Sequence, residues 1–223
     1  MNWNIPNILT LLRLLAAPGV AVMFLYFSRP YADWFALILF VVAALTDYVD
    51  GYLARAWKQE SKFGAMLDPI ADKAMVIIAL LVITGFSGMN PWILLPATVI
   101  IFRETFVSGL REFLGDTAGL LKVTNLAKWK TTAQMVAIAV LFATGLFEHE
   151  FLDRTTGMDS ATLDAIMAGQ MDDPLGLMWY SQAAHATFLL GTILLAIAAV
   201  LTLVTGFDYL RKAMPFLRED GHG

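Results

Sequence analysis

The chain has 223 residues, of which 58% are hydrophobic and only 15% are charged, and its mean hydropathy is +0.66. A soluble domain of this size could not bury so much apolar surface, so the composition favours a membrane protein. The absence of Cys excludes disulfides and thiolate chemistry, and a net charge of −4 argues against general nucleic-acid binding. No cleavable signal peptide is predicted, because residues 1–6 carry no basic side chain and the apolar run after them contains Arg13.

Six apolar segments predict an all-α, polytopic membrane protein with six transmembrane helices. The uncharged cores of the second, third and fourth segments are only about 13 residues long, whereas a bilayer core requires roughly 20. Each of these three helices must therefore be completed by a turn or two that carries charge. In chain order the segments are Ile8–Phe27, Trp34–Arg55, Asp68–Phe86, Trp92–Phe113, Trp129–Phe147 and Ala184–Leu210.

The distribution of charge predicts the orientation of these segments. Ten basic residues lie in or beside segments that are cytoplasmic if the N-terminus is cytoplasmic, against Arg29 and Arg154 on the other side. The connection 148–183 carries seven acidic residues and fits a non-cytoplasmic location, with a short helix over Ser160–Ala168 capped by Ser160. We expect a single membrane domain over residues 1–223, with a polar active-site cavity at the cytoplasmic interface.

Four aspartates mark the stretch between Thr46 and Lys73. Two runs of residues within it have helical spacing, and each run would occupy one face of a helix. The first run is Asp47, Asp50, Gly51 and Ala54, and the second is Gly64, Asp68 and Asp72. Charged residues at membrane depth are costly and usually functional, so this arrangement predicts a site. The alternative is a set of interfacial carboxylates paired with Arg55, Lys58 and Lys73.

Four carboxylates in a confined site need compensating charge. Two like charges about 4 Å apart at an effective dielectric constant near 20 repel by roughly 4 kcal/mol. Protonation would relieve this repulsion, and so would divalent cations. Because the chain has no Cys and no His nearby, hard ions such as Mg²⁺ or Mn²⁺ are favoured over Zn²⁺. Two such ions would balance four carboxylates, which predicts a two-metal site of the kind that serves phosphoryl displacement.

The run from Asp47 to Asp72 reads D-x2-D-G-x2-A-R-x8-G-x3-D-x3-D and resembles the signature of the CDP-alcohol phosphatidyltransferase family. The resemblance implies an integral membrane enzyme of six helices that moves a phosphatidyl group from CDP-diacylglycerol to an alcohol and releases CMP. It further implies a bacterial inner-membrane location, with the active site facing the cytoplasm, and a homodimer.

The resemblance also implies roles for individual residues. Asp47, Asp50 and Asp68 match metal ligands, and Asp72 matches the residue that touches a metal and takes the proton of the attacking hydroxyl. Binding of CDP-diacylglycerol is expected at Asn7, Thr10, Asp50, Gly51, Ala54, Arg55 and Gly64. The small residues could instead serve close helix packing, and Arg55 could extend its charge to the lipid headgroups.

A second, basic cluster bears on the acceptor. The runs RETFVSGLREF and AKWKTT supply Arg103, Arg111, Lys128 and Lys130, and such cations suit an anionic acceptor such as a phosphate monoester. Ordinary cytoplasmic flanking charge is the alternative explanation.

Three further motifs are similar to those of the branch of the family that uses sn-glycerol 3-phosphate as acceptor. They are NIPNILTLLRLLAAP, R-E-x5-G-L-R-E and K-W-K-T-T-x-Q-M. The expected reaction therefore yields phosphatidylglycerol phosphate and CMP. Rival hypotheses are the same chemistry with serine, inositol phosphate or phosphatidylglycerol as acceptor, an ion-coupled transporter, and a non-catalytic scaffold.

Overall fold

The computed structural model describes residues 5–56, 61–120 and 125–217; within these ranges, the side chains of residues 5, 6, 47–56, 62, 116, 118, 120, 125, 127 and 128 are outside the description. Seven α-helices, one 3₁₀ helix and no strand occur in these ranges, which confirms the all-α class. The helices are α1 (Ile5–Tyr26), α2 (Tyr31–Ala56), α3 (Lys62–Phe86), α4 (Pro91–Leu114), α5 (Asn125–Thr155), α6 (Ser160–Met167) and α7 (Leu177–Leu217), with the 3₁₀ helix at Gly115–Leu120.

Among the residues that the structure describes, four helices, α1, α4, α5 and α7, are long and apolar enough to cross a membrane. The apolar part of α2, Tyr31–Thr46, is shorter than the roughly 20 residues that a bilayer core requires. These findings confirm a membrane protein, while the count of six spans stays a prediction.

Several predicted helix ends are wrong. The fifth predicted segment stops at Phe147, but α5 continues to Thr155, and α7 begins at Leu177 rather than at Ala184. Hydropathy ends a segment at the first charged or polar run, whereas backbone hydrogen bonds continue through it. Because α3 begins at Lys62, Asp68 lies inside a helix and not at its first turn.

The predicted cap of the short surface helix is also corrected. Asp159, and not Ser160, is the N-cap of α6, because its carboxylate accepts hydrogen bonds from the Thr162 amide at 2.9 Å and the Thr162 hydroxyl at 2.6 Å. A carboxylate at this position also interacts favourably with the helix dipole.

The Asp159 cap predicts a pH dependence of α6. The hydrogen bond from the Thr162 hydroxyl, together with the one from the Thr162 amide, lowers the pKa of Asp159. The cap therefore stabilises the folded helix at pH values above the ordinary carboxyl pKa of about 3.9. That contribution is lost as the pH falls through the lowered pKa. We expect hydrogen exchange at the Thr162 amide, corrected for its intrinsic pH dependence, to lose protection below about pH 4. Asp159→Ala should lose the same protection already at pH 7, and protection unaffected by the variant would contradict the cap.

The chain forms two compact units, Met1–Ile83 with Ile138–Gly191 and Thr84–Ala137 with Thr192–Gly223. In the first unit, the Phe142 ring lies between those of Phe24 and Phe40, with centroid distances of 6.2 and 6.0 Å. The second unit has a buried cluster of Val107, Leu114, Tyr209 and Ala213. Aromatic and aliphatic side chains thus fill the interior of each unit separately.

An ion pair ties the loop before α2 to that helix in the first unit. Arg29 donates through Nε and Nη2 to both oxygens of the buried Asp33, at 2.7 and 2.6 Å. On α5, a Cβ at Gly145 would lie 2.5 Å from Arg29 Nη2 and 2.5 Å from Asp33 Oδ1. A glycine is therefore required where α5 passes this pair.

Candidate functional site

A series of polar contacts joins α1 to α3 in the first unit. Three buried side chains of α1, spaced three residues apart, each meet a polar group on or just before α3. Their partners follow one another at steps of seven and four residues. The three contacts are Asn7 with Ser61, Thr10 with Asp68, and Arg13 with Asp72. Because both residue numbers increase together, α1 and α3 run parallel along this series, which we call the α1–α3 polar ladder.

The first contact of the ladder lies at the start of α3. Ser61 donates its hydroxyl hydrogen bond to Asn7 Oδ1 at 2.7 Å and accepts one from the Gly64 amide at 3.0 Å. A Cβ at Gly64 would lie 2.7 Å from Asn7 Oδ1 and 3.3 Å from Ser61 Oγ. Gly64 therefore allows the close approach of α1, which is a local packing reason for glycine at this predicted nucleotide-binding position.

The other two contacts hold the two aspartates of α3. Thr10, which is 2% exposed, donates to Asp68 Oδ1 at 2.6 Å, and Arg13 Nη1 donates to Asp72 Oδ1 at 2.7 Å. The side chain of Arg13 is 2% exposed whereas that of Asp72 is 43% exposed. The guanidinium is thus buried against α3, while the carboxylate it contacts stays partly exposed.

Asp68 and Asp72 are suited to a hard metal ion. They are carboxylates one helical turn apart, each fixed on one oxygen by α1, and such oxygen ligands are what Mg²⁺ and Mn²⁺ prefer. No group of three acidic, His or Cys side chains converges among the residues whose side chains are described. The partners predicted on α2, Asp47 and Asp50, lie outside that set, as do Gly51, Ala54 and Arg55. The donor chemistry of α3 fits a divalent ion, and the full ligand set stays a prediction.

The predicted acceptor residues Arg103 and Lys130 come together in the second unit. Glu104 Oε1 accepts from Arg103 Nη1 at 3.1 Å and also forms a short ion pair with Lys130 Nζ. On α7, the Thr205 hydroxyl lies 3.4 Å from Arg103 Nη2, and a Cβ at Gly206 would lie 2.8 Å from Arg103 Cγ. Two cations and one anion thus lie together, with side chains that are 9–13% exposed.

Arg111 lies two turns further along α4. Its guanidinium carbon is 5.4 Å from the centroid of the Tyr209 ring, a cation–π arrangement. Lys128 lies outside the residues whose side chains are described. No contact that brings Arg111 to Arg103 is seen in the described part of the chain, so their joint role stays a prediction.

Sequence reasoning assigned no role to Arg13, Ser61 or Glu104. The sequence placed Arg13, with Asn7 and Thr10, near the aspartates at the start of the first helix, and its contact with Asp72 agrees with that position; the role of this charge inside an apolar helix was not predicted. Glu104 could have been noticed as an acidic residue directly after Arg103 in an apolar run. The contact between Ser61 and Asn7 has no signal in the sequence, because it depends on how α1 and α3 lie against each other.

Gly64→Ala tests the close approach of α1 and α3. The added methyl would meet Asn7 Oδ1 inside a well-packed contact, and overpacking of this kind costs about 1–3 kcal/mol. We expect a lower thermal unfolding temperature of the purified protein in detergent. Gly109→Ala on α4 is the matched control, because nothing lies within 4 Å of its Cβ position, and it should be neutral or stabilising by up to about 1 kcal/mol. Equal tolerance of the two changes would contradict the close approach.

Long apolar helices that carry paired carboxylate, guanidinium and ammonium groups are typical of an integral membrane protein with polar functional sites. Residues 3–207 match the CDP-alcohol phosphatidyltransferase family, and the chain belongs to that family. It is therefore an enzyme of the transferase class, which neither the transporter nor the scaffold hypothesis accounts for. Members of the family generally depend on divalent metal ions, in agreement with the donor chemistry of α3.

Several relatives of this chain share the name of one enzyme. The CDP-diacylglycerol–glycerol-3-phosphate 3-phosphatidyltransferase of Cereibacter sphaeroides is 65% identical over 221 residues, which covers 99% of this chain and 100% of that protein. Proteins of the same name from Escherichia coli K12 and Salmonella typhimurium are each 43% identical over 143 residues, which covers 63% of this chain and 78% of each relative.

Proposed function

We propose that this enzyme transfers the phosphatidyl group of CDP-diacylglycerol to sn-glycerol 3-phosphate, forming phosphatidylglycerol phosphate and CMP. The observation that carries the proposal is the 65% identity, along the full length of both chains, to a relative named for this reaction. The buried cations of the second unit support an acceptor that carries a phosphate.

The membrane arrangement is part of the proposal. Six spans, a bacterial inner-membrane location, an active site that faces the cytoplasm and a homodimer are all proposed. The four long apolar helices support the membrane location. The basic residues counted in the sequence support the orientation.

The four aspartates of α2 and α3 are the proposed metal ligands. Asp47, Asp50, Asp68 and Asp72 would hold two Mg²⁺ or Mn²⁺ ions. When bound, such ions neutralise the carboxylates and stabilise the negative charge of the transferring phosphate. Thr10 fixes one oxygen of Asp68 and Arg13 fixes one oxygen of Asp72, so α1 orients both carboxylates of α3.

Asp72 is the proton acceptor in the proposed transfer. Its carboxylate accepts the proton of the primary hydroxyl of glycerol 3-phosphate, and that oxygen forms a new bond to the phosphorus that carries diacylglycerol. The bond from this phosphorus to the CMP oxygen breaks, and CMP leaves. The 43% exposure of Asp72 supports this role, because a proton acceptor must be reached by the substrate and must pass the proton on.

Two further groups of residues bind the substrates in this proposal. CDP-diacylglycerol is bound by Asn7, Thr10, Asp50, Gly51, Ala54, Arg55 and Gly64. Glycerol 3-phosphate is bound through its phosphate by Arg103, Arg111, Lys128 and Lys130. The burial of Arg103 and Lys130 supports the second assignment, since ordinary flanking charges lie in solvent.

CMP release tests the proposed reaction. The purified enzyme receives CDP-diacylglycerol, Mg²⁺ or Mn²⁺, and one of several acceptors: glycerol 3-phosphate, serine, inositol phosphate or phosphatidylglycerol. We expect CMP release only with glycerol 3-phosphate. Release with another acceptor alone would keep the class of chemistry and overturn the acceptor, and no release with any acceptor would overturn the proposed function.

Arg103→Ala tests the assignment of the acceptor site. A charged hydrogen bond contributes about 1.5–3 kcal/mol, so its loss should raise the KM for glycerol 3-phosphate roughly 10- to 150-fold. The KM for CDP-diacylglycerol should change less than about threefold. Arg211→Ala, an exposed arginine of α7, is the control and should change neither KM. Equal effects of Arg103→Ala on both substrates would count against its role.

A further inference from the structure

Glu104 is the acidic member of the buried triad in the second unit. The side chains of Arg103, Glu104 and Lys130 are 13%, 12% and 9% exposed. One carboxylate oxygen, Oε1, serves both cations, and it joins α4 to Lys130 on α5. Arg103 and Lys130 therefore both donate to Glu104 Oε1, and the distance between the two positive groups depends on the position of this oxygen.

Glu104 also fixes the direction of the Arg103 side chain. Consecutive residues leave an α-helix about 100° apart, so Arg103 must turn sideways toward α5 to reach Glu104 Oε1. On α7, Gly206 leaves the space in which the stem of Arg103 lies, and the Thr205 hydroxyl meets Nη2. The guanidinium is thus contacted both by Glu104 on its own helix and by α7.

Arg103 retains unused binding capacity in this arrangement. Its buried Nε has no hydrogen-bond acceptor in the described part of the chain, and a guanidinium offers five donors in one plane. Buried donors are almost always satisfied in folded proteins. Nε itself lies beside Gly206, but the Nη hydrogens that Glu104 and Thr205 do not use would donate to an anionic ligand with several oxygens.

We propose that Glu104 is a positioning residue, which holds the Arg103 guanidinium and the Lys130 ammonium as a preformed pair for the phosphate of the acceptor. This inference rests on the proposed function. Glu104 does not touch the acceptor, since its charge would repel a phosphate, and acts by placing two groups that do.

Two conservative substitutions separate position from charge. Glu104→Gln removes the negative charge but keeps an acceptor oxygen at the same reach. Glu104→Asp keeps the charge but withdraws the oxygens by roughly 1.5 Å, the length of one carbon–carbon bond, so that the contact between this carboxylate and Lys130 on the neighbouring helix is lost. A positioning role therefore predicts that Asp is the more harmful change.

The experiment measures kcat and both KM values from CMP release by the full-length enzyme in detergent micelles with Mg²⁺. We expect Glu104→Asp to raise the KM for glycerol 3-phosphate at least fivefold, while kcat and the KM for CDP-diacylglycerol stay within twofold. Glu104→Gln should leave all three within twofold. Glu112→Asp and Glu112→Gln on the same helix, at an exposed position, are matched controls and should change nothing.

Other results overturn the inference. A larger KM for glycerol 3-phosphate in Glu104→Gln than in Glu104→Asp would show that charge and not position matters. If Glu104→Asp raises the KM values for both substrates by the same factor, the role of Glu104 is purely structural. If Glu104→Asp changes neither KM, Glu104 has no role in placing the two cations. If Glu104→Asp does not purify as a folded protein, the test uses Glu104→Gln by itself. A KM for glycerol 3-phosphate that Glu104→Gln raises more than twofold contradicts the inference. Wild-type enzyme that releases no CMP with glycerol 3-phosphate would instead overturn the proposed function.

Discussion

Asp72→Asn is expected to lower kcat for CMP release by roughly 10³-fold or more. An amide cannot accept the proton of the attacking hydroxyl, and it also removes one of the four charges proposed to bind metal. The fold should survive, because the Asn amide oxygen can still accept the hydrogen bond that Arg13 Nη1 donates at 2.7 Å. The measurement is single-turnover CMP release, with the elution profile in detergent and the thermal unfolding temperature recorded for the same samples.

The matched control for this variant is Asp172→Asn. It makes the same chemical change at an exposed position in the segment before α7, and it should keep the wild-type rate. A rate for Asp72→Asn above a tenth of wild type, in protein that remains folded, would contradict the role of Asp72 as proton acceptor. Loss of the folded state in Asp72→Asn alone would show that Arg13 requires the charge of its partner and not only its oxygen.

Much of the candidate site is readable in the sequence because it follows helical spacing. Asp68 and Asp72 are four residues apart, and their helix places both on the side that meets α1, where Thr10 and Arg13 have spacing to match. The helical spacing of residues depends on one segment alone, so it can be read from the sequence without knowledge of how that helix packs against others. The same holds for the all-α class, since the long apolar runs admit no other backbone in a membrane.

The features that were missed have three different physical causes. Hydropathy could not predict that α5 extends to Thr155, because the backbone bonds of its last turns form irrespective of polar side chains. It could not predict Asp159 as the cap of α6, because Ser160 is an equally good capping residue and only the observed start of the helix decides between them. Glu104 was missed for a third reason: its role appears only when Lys130 of α5 reaches the same oxygen atom.

The polar ladder also assigns a function to the buried charge of α1. Arg13 supplies a permanent positive charge beside Asp72, because a guanidinium stays protonated, and the planar fork of its guanidinium places Nη1 on one oxygen of that carboxylate. A misplacement of a reacting group by about 1 Å can cost roughly 10²-fold in rate. Arg13 is therefore expected to influence kcat without touching the substrate.

Arg13→Met should lower kcat about 10²-fold and the free energy of unfolding by about 1.5–3 kcal/mol, the contribution of a charged hydrogen bond. Arg13→Lys keeps the charge without the fork, so it should recover most of the stability and only part of the rate. Arg29→Met is the matched control, because Arg29 forms the same type of ion pair with Asp33 in the same unit. Its removal leaves the buried Asp33 without this partner and should destabilise the protein at least as much, with kcat unchanged. If Arg13→Met destabilises the enzyme as Arg29→Met does but leaves kcat within threefold, the contact between Arg13 and Asp72 only holds α1 against α3, and the orientation of Asp72 must have another cause.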